Sequence, residues 1–143
     1  IEINVPVDTL SALYVKEENC FKWMKGLEKI EHLKGQRKAP GDESIFHFKM
    51  GKRDMEIKET LKVIVLPDEF TTSYEAKGVY NIVRTRFQKI DASKTACITE
   101  QEFQFKGFMK IMGALMPGAF KKQSQKYLED FKRFAEESKV NAA

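Results

Sequence analysis

The chain has 143 residues, of which 42% are hydrophobic and 32% charged, and its formal net charge is +4. This balance is typical of an ordinary globular protein and argues against a disordered chain or a membrane-spanning one. We expect one domain, residues 1–143. The chain shows no signal-peptide pattern, and Cys20 and Cys97 have neither disulfide nor metal spacing, so we expect a cytoplasmic location.

The N-terminal region is predicted to form a short strand and two short helices. Residues 1–5 alternate as a strand does, and Pro6 ends that strand. The second helix is expected at about residues 17–24, with Trp23 on its buried side and Gly26 as its stop signal.

The middle of the chain alternates with a period of two and is interrupted by turn signals, which predicts an antiparallel meander. With the first strand this makes about seven strands. The predicted strands of the meander are 27–38, 43–50, 53–66, 72–78, 81–90 and 97–105.

The last third of the chain has the spacing of an amphipathic helix over about residues 108–137. Pro117 lies inside this stretch and is expected to kink it, because a proline removes one helical hydrogen bond. Residues 119–137 are predicted to be the regular part. The region near the kink and the hairpin loops is the expected entrance for a ligand.

The pattern at both ends of the chain resembles the START-like superfamily, which includes the polyketide cyclase/dehydrase and birch pollen allergen families. The residues that carry it are Val5-Pro6-Val7-Asp8, then Trp23 and Gly26, and finally residues 103–107 leading into a methionine-rich helix. The resemblance implies an α+β helix-grip fold, in which a curved antiparallel sheet surrounds a long C-terminal helix and encloses a hydrophobic cavity. Activities in the superfamily range from ligand binding to polyketide cyclisation, so the fold does not name the function.

The leading hypothesis is binding or transport of a small hydrophobic molecule, lipid- or polyketide-like, between the sheet and the final helix. Aromatic and methionine side chains on the predicted inner face support it, although the same residues also suit a filled core. The residues expected to bind the ligand are Trp23, Phe46, Phe48, Met55, Ile57, Glu59, Tyr74, Thr85, Phe87, Gln101, Phe103, Met112, Met116, Phe120 and Tyr127.

Glu59 is the one candidate catalytic residue, because it shares its strand phase with Ile57 and Leu61. A carboxylate that opens onto the cavity could act as a general base with Tyr74 or Gln101, as in a cyclase- or dehydratase-like enzyme. The alternatives are a bulge that turns Glu59 outward, or pairing with a basic neighbour at the cavity rim. A third function, a protein-interaction or chaperone co-factor module, would require an exposed apolar patch.

The sequence indicates no cofactor, metal or nucleic-acid site. His32 and His47 are the only histidines and lack ligand spacing, and no glycine-rich phosphate loop is present. Arg84 and Arg86 are expected to pair across strands with Glu100 and Glu102, which leaves no unneutralised basic stripe for nucleic acid. The oligomeric state stays open.

Overall fold

The computed structural model describes residues 1–105 and 117–142, and it confirms the predicted α+β helix-grip fold. Seven strands form one antiparallel sheet in the order β1-β7-β6-β5-β4-β3-β2. Two short helices follow β1, and a long helix ends the described chain. The elements are β1 (Glu2–Ile3), α1 (Val7–Val15), α2 (Glu17–Trp23), β2 (Leu27–Lys34), β3 (Glu43–Met50), β4 (Arg53–Val65), β5 (Glu69–Ala76), β6 (Val79–Asp91), β7 (Lys94–Phe105) and α3 (Pro117–Ala142).

The turn from α2 into β2 depends on a glycine. The backbone N–H of Met24 donates to the Cys20 carbonyl and closes α2, and Gly26 then takes φ +86, which side chains with a Cβ rarely adopt. A Cβ on Gly26 would lie 2.6 Å from the Lys49 carbonyl oxygen. The glycine therefore lets the chain pass close to the end of β3.

The second strand is shorter than the predicted span 27–38 and ends at Lys34. Gly35 and Arg37 both have positive φ, +68 and 58, so the backbone leaves the extended conformation there. The Asp42 carboxylate accepts hydrogen bonds from the backbone N–H groups of Lys38 and Ala39, which fixes the loop. This loop holds Arg37 in a position that strand alternation could not predict.

A bulge in β4 changes which side chains face inward. The register with β5 shifts between Leu61 and Val63. One extra residue in a strand reverses the alternation beyond it. Strict alternation would place Val65 on the same face as Leu61, but Val65 is 56% exposed, whereas Leu61 before the bulge is 1% exposed.

The main core lies where α1, α2 and α3 pack against the β1–β7–β6 side of the sheet. Its buried members are Ile3, Val5, Leu10, Trp23, Phe87, Cys97, Phe131 and Ala135. The predicted helix from residue 108 and its kink at Pro117 involve residues 106–116, which lie outside the described residues. Among the helices of residues 1–105 and 117–142, none has the length and apolar character needed to span a bilayer.

The predicted cross-strand pairing of arginines on the outer face is confirmed for Glu100. Arg86 Nη2 lies 2.7 Å from Glu100 Oε1, and Arg84 Nη1 lies 3.8 Å from Glu100 Oε2. These arginines are therefore partly neutralised.

Candidate ligand-binding site

A cavity of about 250 Å³ lies between the sheet and α3. All five long strands from β3 to β7 contribute to its wall, together with all three helices. None of the described lining residues is charged, and most are apolar or aromatic. They are Tyr14, Trp23, Met24, Phe46, Phe48, Ile57, Tyr74, Asn81, Val83, Thr99, Gln101, Phe103, Gln123, Ser124, Tyr127, Leu128 and Phe131.

The structure brings about half of the sequence-predicted ligand residues together at this wall. These are Trp23, Phe46, Phe48, Ile57, Tyr74, Gln101, Phe103 and Tyr127.

Four of the other predicted residues are described and are not on this wall. Glu59, Thr85 and Phe87 are buried but are not on the cavity wall. Met55 lies near the β3–β4 hairpin and is 40% exposed. Met112, Met116 and the side chain of Phe120 lie outside the described residues.

An aromatic cluster around Tyr14 closes one end of the cavity. The Tyr14 ring lies 5.0 Å from that of Phe131, 5.3 Å from Phe87 and 5.8 Å from Trp23, measured between ring centroids. Its hydroxyl lies 3.3 Å from Thr85 Oγ1. Burial raises the pKa of Tyr14 far above its usual value, so the phenol stays protonated and acts as a neutral anchor.

Behind the cavity wall, Glu59 forms a buried ion pair with Arg37. Arg37 Nε donates to Glu59 Oε1 at 2.6 Å and Nη2 donates to Oε2 at 3.2 Å, the two-point geometry that suits a guanidinium and a carboxylate. Burial alone disfavours the guanidinium charge, but the charge of Glu59 and its hydrogen bonds raise the pKa of Arg37 above its ordinary range. Arg37 Nη1 also donates to the Val15 carbonyl at 3.2 Å, and the guanidinium stacks over Phe46 at 5.3 Å.

Of the two structural alternatives for Glu59, pairing with a basic residue describes its position in part and an outward turn does not. It does not turn outward through a bulge, since the bulge in β4 begins after Leu61. It pairs with a basic residue, but in the interior and not at the rim, because its exposure is 0%. Both oxygens already accept hydrogen bonds from Arg37, and Oε2 accepts a further one from Tyr74 at 2.9 Å. A carboxylate held in this way is not placed to take a proton from a ligand in the cavity.

Tyr74 connects this ion pair to the cavity. Its ring is on the cavity wall, and its hydroxyl donates to Glu59. Burial, together with the charge of Glu59, raises the pKa of Tyr74 well above its usual value, so the hydroxyl keeps its proton. Because its proton is directed at Glu59, the Tyr74 hydroxyl could only accept a hydrogen bond from a ligand.

Three polar atoms that belong to cavity-lining residues are buried and have no hydrogen-bond partner. They are Nε1 of Trp23, Oδ1 of Asn81 and Oγ1 of Thr99. The amide Nδ2 of Asn81 donates to Gln101 Oε1 at 3.3 Å, which orients the Asn81 side chain. Unpaired buried polar atoms are rare in folded proteins.

A second, wider groove of about 320 Å³ adjoins the cavity and shares Gln123 and Tyr127 with it. Lys25, Lys122 and Lys126 line it together with Asp130. Among the described residues at the site, the positive charge therefore lies outside the cavity.

Sequence reasoning missed Arg37, Tyr14, Asn81 and Thr99. Asn81 and Thr99 share strand phase with Val83 and Gln101, so alternation could have identified them. Arg37 carried no such signal, because it was assigned to a strand that the structure ends at Lys34. Within residues 1–105 and 117–142, no group of three or more His, Cys, Asp or Glu side chains is arranged to hold a metal ion.

The seven-stranded sheet, the two short helices after β1 and the long α3 define the helix-grip fold that the sequence resemblance predicted. Solved structures with this fold include a protein from Thermus thermophilus, with a TM-score of 0.72 and 14% identity, covering 100% of this chain and 95% of that one. The Zhui aromatase/cyclase from a Streptomyces species has a TM-score of 0.76 and 13% identity, covering 95% and 90% of the two chains.

Norcoclaurine synthase from Thalictrum flavum, solved in complex with dopamine and hydroxybenzaldehyde, has a TM-score of 0.68 and 17% identity. The match covers 96% of this chain and 83% of that one. At these identities the likeness shows a shared fold. No family model and no curated protein matches the chain.

Proposed function

We propose that this protein binds a small hydrophobic molecule in the cavity between the sheet and α3. The observation that carries the proposal is the cavity itself, about 250 Å³ and lined mainly by aromatic and aliphatic side chains. Small-molecule sites in proteins are typically concave, mostly apolar and supplied with a few polar groups, which describes this wall. Structures of the same fold include one solved with two aromatic compounds, which supports the choice of ligand class.

A neutral fluorescent dye such as Nile red tests this proposal by titration. Val83 lies on the cavity wall, so Val83→Phe should fill space that the dye needs and weaken binding about tenfold or more. Val65→Phe is the matched control, since Val65 is also a strand valine but is 56% exposed, and this variant should bind as the parent does. No dye binding by the parent protein, or equal binding by both variants, would contradict the proposal.

Native mass spectrometry of the protein purified from its own host provides an independent test. We expect a co-purified mass in the parent protein and its loss in Val83→Phe. Near-ultraviolet circular dichroism of both variants checks that each one folds. If Val83→Phe fails to fold, Ile57→Phe replaces it, because Ile57 lies on the same wall.

No observation favours the enzyme hypothesis based on Glu59, because its carboxylate is enclosed by Arg37 and Tyr74.

We also propose a cytoplasmic location for the protein. Its support is that Cys20 and Cys97 are both buried free thiols, which suit a reducing compartment.

A further inference from the structure

We infer that the ligand is a hydrophobic anion, whose acidic group lies in the lysine-lined groove while its apolar part occupies the cavity. The class of ligand meant is a ring or chain that carries a carboxylate, sulfonate or phosphate. The inference rests on the proposed function, because it requires an apolar molecule in the cavity. Its basis is the groove beside the cavity, which is lined by Lys25, Lys122 and Lys126.

The groove and the cavity meet at α3. Gln123 and Tyr127 line both of them, so the groove of about 320 Å³ continues directly from the cavity of about 250 Å³. An apolar cavity of about 150 Å³ holds benzene, which makes the present cavity large enough for two fused rings. A ring system in the cavity therefore needs only a short substituent to place an acidic group in the groove.

The three lysines of the groove come from two elements of the fold. Lys25 lies in the turn between α2 and β2, whereas Lys122 and Lys126 are four residues apart on α3 and so share one helix face. All three are exposed, and none forms an ion pair with a described residue. All 21 acidic residues of the chain lie within the described ranges, so no other side-chain carboxylate is left to neutralise these lysines.

The one acidic residue of the groove already has a basic partner. Arg133 Nη1 lies 3.8 Å from Asp130 Oδ1, one turn further along α3. Three lysines and one aspartate give the described lining of the groove a net charge of +2. The sequence has the same bias, since residues 103–128 contain five lysines and no acidic residue. The groove therefore attracts an anion.

A site of this composition suits an amphipathic molecule. An acidic group in the open groove keeps part of its hydration, so it avoids the large cost of burying a charge, and the lysine ammonium groups attract it. Met50, which is 43% exposed, and Tyr127 offer apolar contacts where the groove meets the cavity. Binding the two parts of one molecule in two adjoining spaces thus uses both kinds of wall.

Dansylglycine and its carboxamide, dansylglycinamide, test the inference by fluorescence titration. They share one naphthalene ring and one short arm, and at neutral pH they differ in the charge of a carboxylate. The parent protein should bind dansylglycine about tenfold more tightly, because one exposed ion pair changes affinity a few-fold and three lysines act together. Raising the salt concentration from about 20 to 500 mM should weaken only the binding of dansylglycine, since salt screens exposed charges.

Single substitutions locate the acidic group. Lys25→Gln, Lys122→Gln and Lys126→Gln should each weaken dansylglycine about threefold and leave dansylglycinamide unchanged. Lys121→Gln is the matched control, because Lys121 is an exposed lysine of α3 that is not among the residues lining the groove. Glutamine and lysine have similar helix propensities, so α3 is preserved. Asp130→Asn should have the opposite effect and strengthen the binding of dansylglycine.

The outcomes separate this inference from the proposed function. Equal binding of the two probes by the parent, or lysine variants that change both probes alike, overturns the inference and leaves the proposed function standing. Dansylglycine binding that survives Val83→Phe also overturns it, because the acidic probe would then bind without the cavity. If neither probe binds but Nile red does, the inference fails alone. If Nile red does not bind either, the proposed function fails as well.

A membrane surface is the other anionic partner that lysines attract, and sedimentation with phospholipid vesicles distinguishes it. The protein should not sediment with vesicles of phosphatidylcholine and phosphatidylglycerol. Sedimentation that is lost in Lys25→Gln, Lys122→Gln and Lys126→Gln, without a preference for dansylglycine, would assign the groove to a membrane and overturn the inference.

Discussion

Arg37 and Glu59 form a two-point ion pair in the protein interior, although Arg37 lies in the loop after β2 and Glu59 lies within β4. Their side chains are 3% and 0% exposed. Arg37 reaches Glu59 from a backbone with φ 58, a conformation that residues other than glycine rarely adopt. The contacts of its guanidinium with Glu59 and with the Val15 carbonyl hold the loop in that conformation, and they join α1, the loop and β4.

Replacing Arg37 with Met should destabilise the protein by about 3–5 kcal/mol, because Glu59 would be left as an unpaired buried charge. Urea unfolding followed by circular dichroism measures the change in the free energy of unfolding. Arg53→Met is the matched control, since Arg53 is an exposed arginine on β4, and its effect should stay within about 0.5 kcal/mol. The double variant Arg37→Met with Glu59→Leu should be more stable than Arg37→Met alone. If the double variant is the less stable of the two, the buried charge is not the cause.

The free energy of unfolding should fall as the pH rises from about 9 to 11 in the presence of a reductant. Burial raises the pKa of Cys20 to about 11 from its usual value near 9. In this interval the unfolded chain releases the thiol proton while the folded chain retains it, so rising pH favours unfolding. The stabilisation from the buried, protonated thiol is complete below the pKa of the unfolded state. It is lost as the pH rises to the pKa of the folded state. Each thiol contributes on the order of 2 kcal/mol.

Cys20→Ala provides the comparison for this pH dependence. It should unfold at lower urea concentration at every pH, but its loss of stability between pH 9 and 11 should be smaller than in the parent. Cys97, whose pKa burial also raises to about 11, should behave in the same way when replaced by Ala. Parallel pH profiles for the parent and both variants would show that the buried thiols do not account for the effect.

Gly26→Ala should destabilise the protein by about 2–3 kcal/mol, because it combines a strained backbone with a clash. The added Cβ would lie 2.6 Å from the Lys49 carbonyl oxygen. Gly51→Ala isolates the strain, since Gly51 has φ +67 but no atom within 4 Å of an added Cβ, and it should cost only about 1 kcal/mol. Thermal unfolding of the two variants measures the difference. Equal losses would mean that the approach of Gly26 to β3 is unimportant.

Phe131→Ala should cost about 3–5 kcal/mol, the usual range for truncating a buried phenylalanine. Phe131 is 0% exposed and packs against both Tyr14 and Trp23, so it holds α3 against α1 and α2. Phe21→Ala is the control, because Phe21 is 44% exposed, and it should cost less than about 1 kcal/mol. Chemical denaturation measures both, and similar losses would contradict the role assigned to Phe131.

The sequence alone determined the order of elements and most strand phases. Alternation placed Glu59 with Ile57 and Leu61 on the inner face, and the observed exposure of Glu59 is 0%. The periodicity of hydrophobic residues and the residue types that favour turns are local properties, so they can be read from neighbouring residues. The bulge after Leu61 does not change the composition of its segment, so alternation could not reveal it. The end of β2 at Lys34 is marked by Gly35, a local turn signal that the predicted span 27–38 overlooked.

Only the tertiary structure decided what Glu59 does. Whether this buried carboxylate opens onto the cavity depended on Arg37, which is 22 residues away along the chain and was assigned to a strand. The same holds for Trp23 and Asn81, whose residue types are visible in the sequence but whose unpaired atoms are not. Hydrogen-bond partners are set by the packing of elements that are distant in the sequence, so they cannot be read from the residues of one segment.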